Sequence, residues 1–137
     1  MAEPSAIPFL LELPSFGTHS EGFITVAEME HVIPFPIARA FWTIGTPVTV
    51  QRGGHAHHRT CMVIIALQGV ITVETTMLYG GTKTHILDDP NVGLYLPIYC
   101  WHTLRYSPNS IQLVFASTLY EEEDYIRNFQ DFRSLGS

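Results

Sequence analysis

At 137 residues, 46% hydrophobic but only 15% charged, the sequence has the length of one domain with one core, and its charge content falls below the roughly 25% usual in soluble domains. A formal charge of −6 with seven Lys and Arg argues against a nucleic-acid partner, and no apolar run approaches the ~20 residues of a bilayer span. The shortage of charge leaves apolar surface to hide, which points to a subunit interface rather than to a membrane.

The chain opens Met1-Ala2-Glu3-Pro4, with no basic stretch ahead of an apolar one, so no signal peptide is expected. Ile7-Pro8-Phe9-Leu10-Leu11-Glu12-Leu13-Pro14 is apolar and bracketed by prolines. It predicts an edge strand or an arm over residues 1–15, suited to exchange with a partner subunit. Beyond it, residues 23–26, 39–44, 62–68, 71–79, 84–87, 92–96 and 111–118 are rich in Val, Ile, Thr and aromatic side chains and predict strands. Gly80-Gly81 reads as a tight hairpin, and Asp88-Asp89-Pro90-Asn91 and Ser107-Pro108-Asn109 read as loops. Many short strands without intervening helical periods imply an antiparallel sandwich or barrel. At the C-terminus, Glu121-Glu122-Glu123-Asp124 leads into Tyr125, Ile126, Phe129 and Phe132, the spacing of a short helix with an acidic first turn. Cys61 and Cys100 are isolated thiols. Without a signal peptide they are expected reduced, with a cytoplasmic location as the default.

The chemistry concentrates in Gln51-Arg52-Gly53-Gly54-His55-Ala56-His57-His58. His55 and His57, spaced i, i+2, share one face of an extended strand, behind two glycines that permit close approach and an arginine suited to an anion. Such a pair serves either a metal or acid–base chemistry, since imidazole titrates near neutrality. His102, after the turn at Pro97, completes the outline of a cupin double motif. In metal-binding cupins a glutamate follows the second histidine, and here the sequence continues His58-Arg59-Thr60-Cys61-Met62 with no carboxylate. Three imidazoles remain compatible with iron or nickel. Strand alternation turns His58 away from the pair. Arg39, Arg52 and Arg105 are candidates to hold an anionic ligand, and Tyr95 or Trp101 to stack on a base or sugar.

Four ordered blocks carry a resemblance. They are Ile33-Pro34-Phe35-Pro36-Ile37-Ala38-Arg39; Arg52-Gly53-Gly54-His55-Ala56-His57; Val92-Gly93-Leu94-Tyr95-Leu96-Pro97 with Trp101-His102; and Ala116-Ser117 through Tyr120 to Asp124-Tyr125-Ile126-Arg127. From about Gly22 to Phe132 the chain resembles the cupin-fold sugar 3,4-ketoisomerases that act on dTDP-4-keto-6-deoxyglucose. The resemblance implies an all-β, cupin-type antiparallel jelly-roll barrel with a short C-terminal helix, homodimeric, with no metal or other cofactor. It implies conversion of a dTDP-linked 4-keto-6-deoxyhexose to its 3-keto isomer, in the making of 3-amino sugars for lipopolysaccharide and related glycans. His57 and His55 would carry the chemistry, with His57 the favoured base. Substrate would rest on Arg52, Arg39, Tyr95, Trp101, His102 and Arg105. The chain departs from the family at Phe41, where tyrosine is frequent, at Met62, where glutamine is, and at Glu21, where a basic residue is. Two other readings stand beside this one: a metal-dependent cupin using His55, His57 and His102, and a non-catalytic binder of sugar nucleotides.

Overall fold

Two antiparallel sheets face each other, and the inward side chains of each fill the space between them. The computed structural model describes residues 6–137, so the first five residues of the expected arm lie outside the described part. In chain order the strands are β1 (Phe9–Glu12), β2 (Ser15–Thr18), β3 (Gly22–Thr25), β4 (Arg39–Ile44), β5 (Arg52–His57), β6 (Met62–Gln68), β7 (Ile71–Met77), β8 (Thr82–Leu87), β9 (Val92–Leu96), β10 (Cys100–Tyr106), β11 (Ile111–Ala116) and β12 (Tyr125–Ile126), followed by helix α1 (Phe129–Ser134). One sheet runs β1-β9-β6-β11-β4, the other β12-β5-β10-β7-β8, and β2-β3 stands apart as a hairpin. This is the expected antiparallel jelly roll.

The core follows from alternation. Met62, Ile64 and Ala66 of β6 meet Ile71, Val73, Leu104 and Tyr106 of the opposite sheet, each fully buried aliphatic contributing on the order of 1.5–3 kcal/mol. The other face of β6, Val63 and Ile65, is also buried, under Ile33 and Phe35 of the preceding loop. A strand covered on both faces reads as an unbroken apolar run, which is how Met62–Ala66 appears in the sequence.

β1 is an edge strand, paired with this chain's own β9 in the register Phe9↔Tyr95 to Glu12↔Val92. The C-terminus differs from its expected form. Residues Glu122–Asp124 make one 3-10 turn, Tyr125 and Ile126 pair with His57 and Ala56 as a short strand, and only then does α1 begin, capped by the Asn128 side chain accepting from the Asp131 N–H. The acidic run is not a helical first turn because the Asp124 carboxylate is anchored in the protein interior. The short helix lies over the outer side of β5, where Phe132 packs with Ala56 and Ile126. No helix among the described residues is long and apolar enough to cross a membrane.

Candidate active site

Where the edge strand β4 approaches β5 and β12, the two sheets leave a cavity of about 220 Å³. It is lined by His55, His57 and His102, by Arg52, Tyr125 and Arg127, and by Phe41, Thr43, Met62, Tyr106 and Gln112. Gly53 and Gly54 make this possible. Both adopt positive φ (77° and 75°), and the β5–β10 register shifts there, from His102↔His55 to Thr103↔Gly53. The extra residue is a β-bulge, which re-aims side chains on the bulged strand. Arg52 and His55, three positions apart, would face opposite ways on a regular strand; the bulge brings both onto the cavity. A Cβ at Gly53 would lie 2.7 Å from the His102 carbonyl oxygen, so glycine is required there for fit as well as for φ.

His57 is 3% exposed. Its Nδ1 lies 3.1 Å from Asp124 Oδ2, while Nε2 is buried with no hydrogen-bond partner. A carboxylate accepts only, so Nδ1 carries the proton and Nε2 holds a free lone pair. Asp124 is itself held by the Arg59 N–H at 2.6 Å and by the Thr60 hydroxyl. Burial pushes the His57 pKa below its ordinary value, against the opposing pull of Asp124, and the Arg39 and Arg127 charges add to the lowering. For Asp124, burial alone would raise the pKa. Hydrogen bonds from Thr60, Arg59 and His57 outweigh it, so the net shift is downward. The pair is therefore a neutral imidazole on an ionised carboxylate.

His102 donates from Nδ1 to the Cys100 carbonyl at 3.1 Å, and burial lowers its pKa to about 4. His55 sits between the other two, with ring centroids 5.0 Å from His57 and 4.7 Å from His102. Burial, then the neighbouring His102 and His57, lower its pKa to about 2. All three imidazoles are neutral at pH 7. Tyr125 closes the group, its ring 4.4 Å from that of His57 and 4.9 Å from that of His55. Two further lining residues bond each other: the Tyr106 hydroxyl donates to Gln112 Oε1, which leaves the Gln112 amide N–H₂ as a donor.

Of the residues expected from sequence, His57, His55, His102 and Arg52 line this cavity. Arg39 lies close by, its guanidinium 5.4 Å from the Phe41 ring and 5.7 Å from that of Tyr120, with Nε buried and unpartnered. Three candidates are not brought to the cavity. Tyr95 is fully buried on the opposite side of the first sheet, stacked on Phe9 and donating to Cys61 Sγ. Trp101 packs edge-on against Phe129 under α1. Arg105 is exposed. Along β10 the inward positions are His102, Leu104 and Tyr106, so Trp101 and Arg105 face outward by alternation. His58 also faces away from the pair, half-buried against the Tyr99 ring rather than fully solvated.

Sequence reasoning passed over Asp124, Tyr125 and Arg127 as site residues, although they sit in one of the four matching blocks. The signal was an aspartate three residues before a basic side chain, with an alternating pair between them that reads as strand. The surrounding acidic run masked it.

Residues 8–136 match a family model described as FdtA: WxcM-like, C-terminal. The chain belongs to this family. A relative within reach of sequence comparison is the TDP-4-oxo-6-deoxy-alpha-D-glucose-3,4-oxoisomerase of Aneurinibacillus thermoaerophilus, 34% identical over 118 residues, which span 83% of this chain and 82% of that protein. Among solved structures, the 3,4-ketoisomerase QdtA of Thermoanaerobacterium thermosaccharolyticum, a histidine-to-asparagine variant in complex with TDP-4-keto-6-deoxyglucose, superposes with a TM-score of 0.89 at 27% identity, covering 94% of this chain and 93% of that one. The TDP-fucose-3,4-ketoisomerase WlaRA of Campylobacter jejuni gives 0.87 at 25% identity, covering 95% and 96%. As to a metal, the described residues of this family member contain no group of three His, Cys, Asp or Glu side chains disposed to share an ion. His55 meets both neighbouring imidazoles edge to face.

Proposed function

We propose that this protein is a sugar 3,4-ketoisomerase that acts on a dTDP-linked 4-keto-6-deoxyhexose, with His57 as its base. The observation that carries this reading is the His57 ring itself, which lines the cavity: Nδ1 is tied to Asp124, and Nε2 is buried and unpartnered. A buried lone pair without a donor is costly unless a ligand supplies one.

A hydrogen on C3, beside the C4 ketone, is acidic because its loss delocalises charge onto the C4 oxygen. His57 Nε2 takes that proton and the C3–H electrons form the enediolate. The same nitrogen returns the proton to C4, while the hydroxyl proton passes from the C3 oxygen to the C4 oxygen. Atoms and charge balance with no redox partner. A positioned base contributes about 10²–10⁴-fold. Asp124 is a positioning residue: it fixes the tautomer and stabilises the imidazolium while the proton is held. Each donor aimed at the enediolate oxygens adds on the order of 2.7–4 kcal/mol, and His55, with one N–H on its neutral ring, and Arg52 line the cavity for that task.

Size supports the same arrangement. About 220 Å³ is below the ~300–1,000 Å³ of pockets that enclose a whole drug-sized ligand. The sugar ring enters, and the diphosphate stays at the rim. There Arg52 and Arg39 offer positive charge; Arg127 is already paired with Glu122 at 2.8 Å and contributes less. We take the protein to act as a homodimer. The test is incubation with dTDP-4-keto-6-deoxyglucose in D₂O, following C3 deuteration and the 3-keto product by NMR. Exchange at C3 that persists under chelator is expected. Nucleotide binding without exchange would instead mark a binding module, and activity abolished by chelator and restored by iron or nickel would mark a metal enzyme.

A further inference from the structure

Behind His57 the hydrogen bonds form a chain whose direction is fixed. Thr60 lies between β5 and β6 and is 1% exposed. Its hydroxyl donates to Asp124 Oδ2, the same oxygen that accepts from His57 Nδ1. Asp124 Oδ1 takes the Arg59 N–H instead. The Thr60 oxygen also lies 2.6 Å from Thr118 Oγ1, just beyond the end of β11. A hydroxyl has a single proton to donate, and an ionised carboxylate only accepts. Thr60 therefore donates to Asp124 and must accept from Thr118. The order runs from the Thr118 O–H to the Thr60 oxygen and from the Thr60 O–H to Asp124, which His57 meets from the other side.

We propose that Thr60 is a positioning residue of the reaction, with Thr118 behind it: the two hydroxyls orient the Asp124 carboxylate and limit how tightly it holds the proton on His57. The reaction is that of the ketoisomerase reading, on which this inference rests. The base must take a proton from C3 and then return it to C4, so an imidazolium held too firmly slows the second half. A carboxylate oxygen with His57 as its sole donor would favour the imidazolium; a second donor on that oxygen draws off charge. Burial pushes the Asp124 carboxyl up, and among the groups that draw it down the Thr60 bond comes first. In a low-dielectric interior each link of such a chain polarises the next. The Thr60 bond also opposes rotation of the carboxylate, which would break the contact that fixes the His57 tautomer. Packing alone requires no hydroxyl here, because valine has the same shape and a buried hydroxyl without a task is costly.

The groups that face His57 are Asp124, His55 on its own strand, His102 on β10, Tyr125 on β12 with Arg127 just after it, and Arg39 on β4. Substitution at Thr60 or Thr118 leaves all of them in place, so a change in His57 titration reports the hydroxyl chain. Thr60→Val is expected to lower kcat/KM at pH 7 about tenfold and to move its acid limb up by roughly half a pH unit. The dTDP dissociation constant should stay within about two-fold. Thr60→Ser should restore both rate and limb. Thr118→Val, at a half-buried position, should move the limb the same way by a smaller step. Thr76→Val breaks a different threonine pair, 2.9 Å from Thr82, and should move nothing. Nitrogen NMR of the His57 ring, assigned by the signal missing in His57→Asn, should show the same upward step without turnover. An unmoved limb and ring titration in Thr60→Val overturn the proposal. So does a loss of rate with the limb in place, or one that serine does not restore. Should Thr60→Val fail to fold, an unmoved His57 titration in Thr118→Val overturns it. A protein that turns over no dTDP-ketosugar would remove the ketoisomerase reading, while the ring titration would still decide the role of Thr60.

Discussion

Two cavities in this protein differ in size in the opposite sense to their chemistry. The larger, about 880 Å³, lies between the N-terminal segment, the β7–β8 hairpin and the Pro97-Ile98-Tyr99 turn; most of its lining is aliphatic or aromatic. Among the described residues its lining carries one permanent charge, Arg59, which is paired with Glu121 at 2.7 Å. The smaller, about 220 Å³, holds three neutral imidazoles, a buried carboxylate behind one of them, and arginines at its rim. Volume records how loosely apolar surfaces meet. Unsatisfied buried donors and acceptors record where a ligand completes the structure.

Substitutions sharpen that contrast. The largest effect is expected at His57→Asn, which should cut kcat by about 10³-fold, within the range for a positioned base, with the dTDP dissociation constant nearly unchanged in calorimetry. A rate within a few-fold of normal would remove His57 as the base. Next comes Asp124→Asn. An amide can donate to Nδ1 and favour the wrong tautomer, so kcat should fall on the order of 10²-fold with KM little altered, together with a loss of about 1–3 kcal/mol in urea unfolding from the disturbed buried bonds. A purely structural Asp124 would show the stability loss without the kcat loss.

pH gives a third test. The folded-state pKa of His57 lies below its ordinary value, so the base form persists as pH falls and the acid limb of kcat/KM should appear below pH ~6.5. A limb above that value would contradict the buried neutral ring. The sign for stability follows from the same groups. His55 and His102 have folded-state pKa values of about 2 and about 4, so between pH ~6.5 and 4 the unfolded chain binds more protons than the folded one. Melting temperature should therefore drop steadily across that window, and a flat profile would sink the assignment of buried neutral imidazoles. The smallest effects belong outside the cavity. Tyr95→Phe should leave kcat/KM within two-fold while costing about 1 kcal/mol in unfolding. Arg105→Ala should change neither by more than ~0.5 kcal/mol. A tenfold loss of activity in either would return that residue to the site.

Most strands were legible because their signals are local. Arg39–Ile44, Met62–Gln68 and Val92–Leu96 coincide with runs of β-branched and aromatic side chains between turn residues. Cys100–Tyr106 was not read as a strand, since Trp101-His102 follows the Pro97 turn closely and its alternation includes Arg105 and Thr103. The facing error at Tyr95 has a similar origin. A run such as Val92-Gly93-Leu94-Tyr95-Leu96 is apolar on both sides, so composition does not tell which face meets the cavity and which meets the loop carrying Phe35. Asp124 shows a stronger limit: its partners His57, Arg59 and Thr60 lie more than sixty residues away.

By itself the sequence determined the all-β class, a glycine pair open to close approach, and the presence of two imidazoles on one strand face, because period-2 patterning, residue type and i, i+2 spacing are properties of adjacent residues. Tertiary structure alone decided which imidazole has a carboxylate behind it, which nitrogen stays free, and which aromatic rings stand apart from the cavity. Those outcomes depend on sheet register and on the path of the C-terminal segment across β5, and short-range patterns carry no information on distances between residues so remote along the chain.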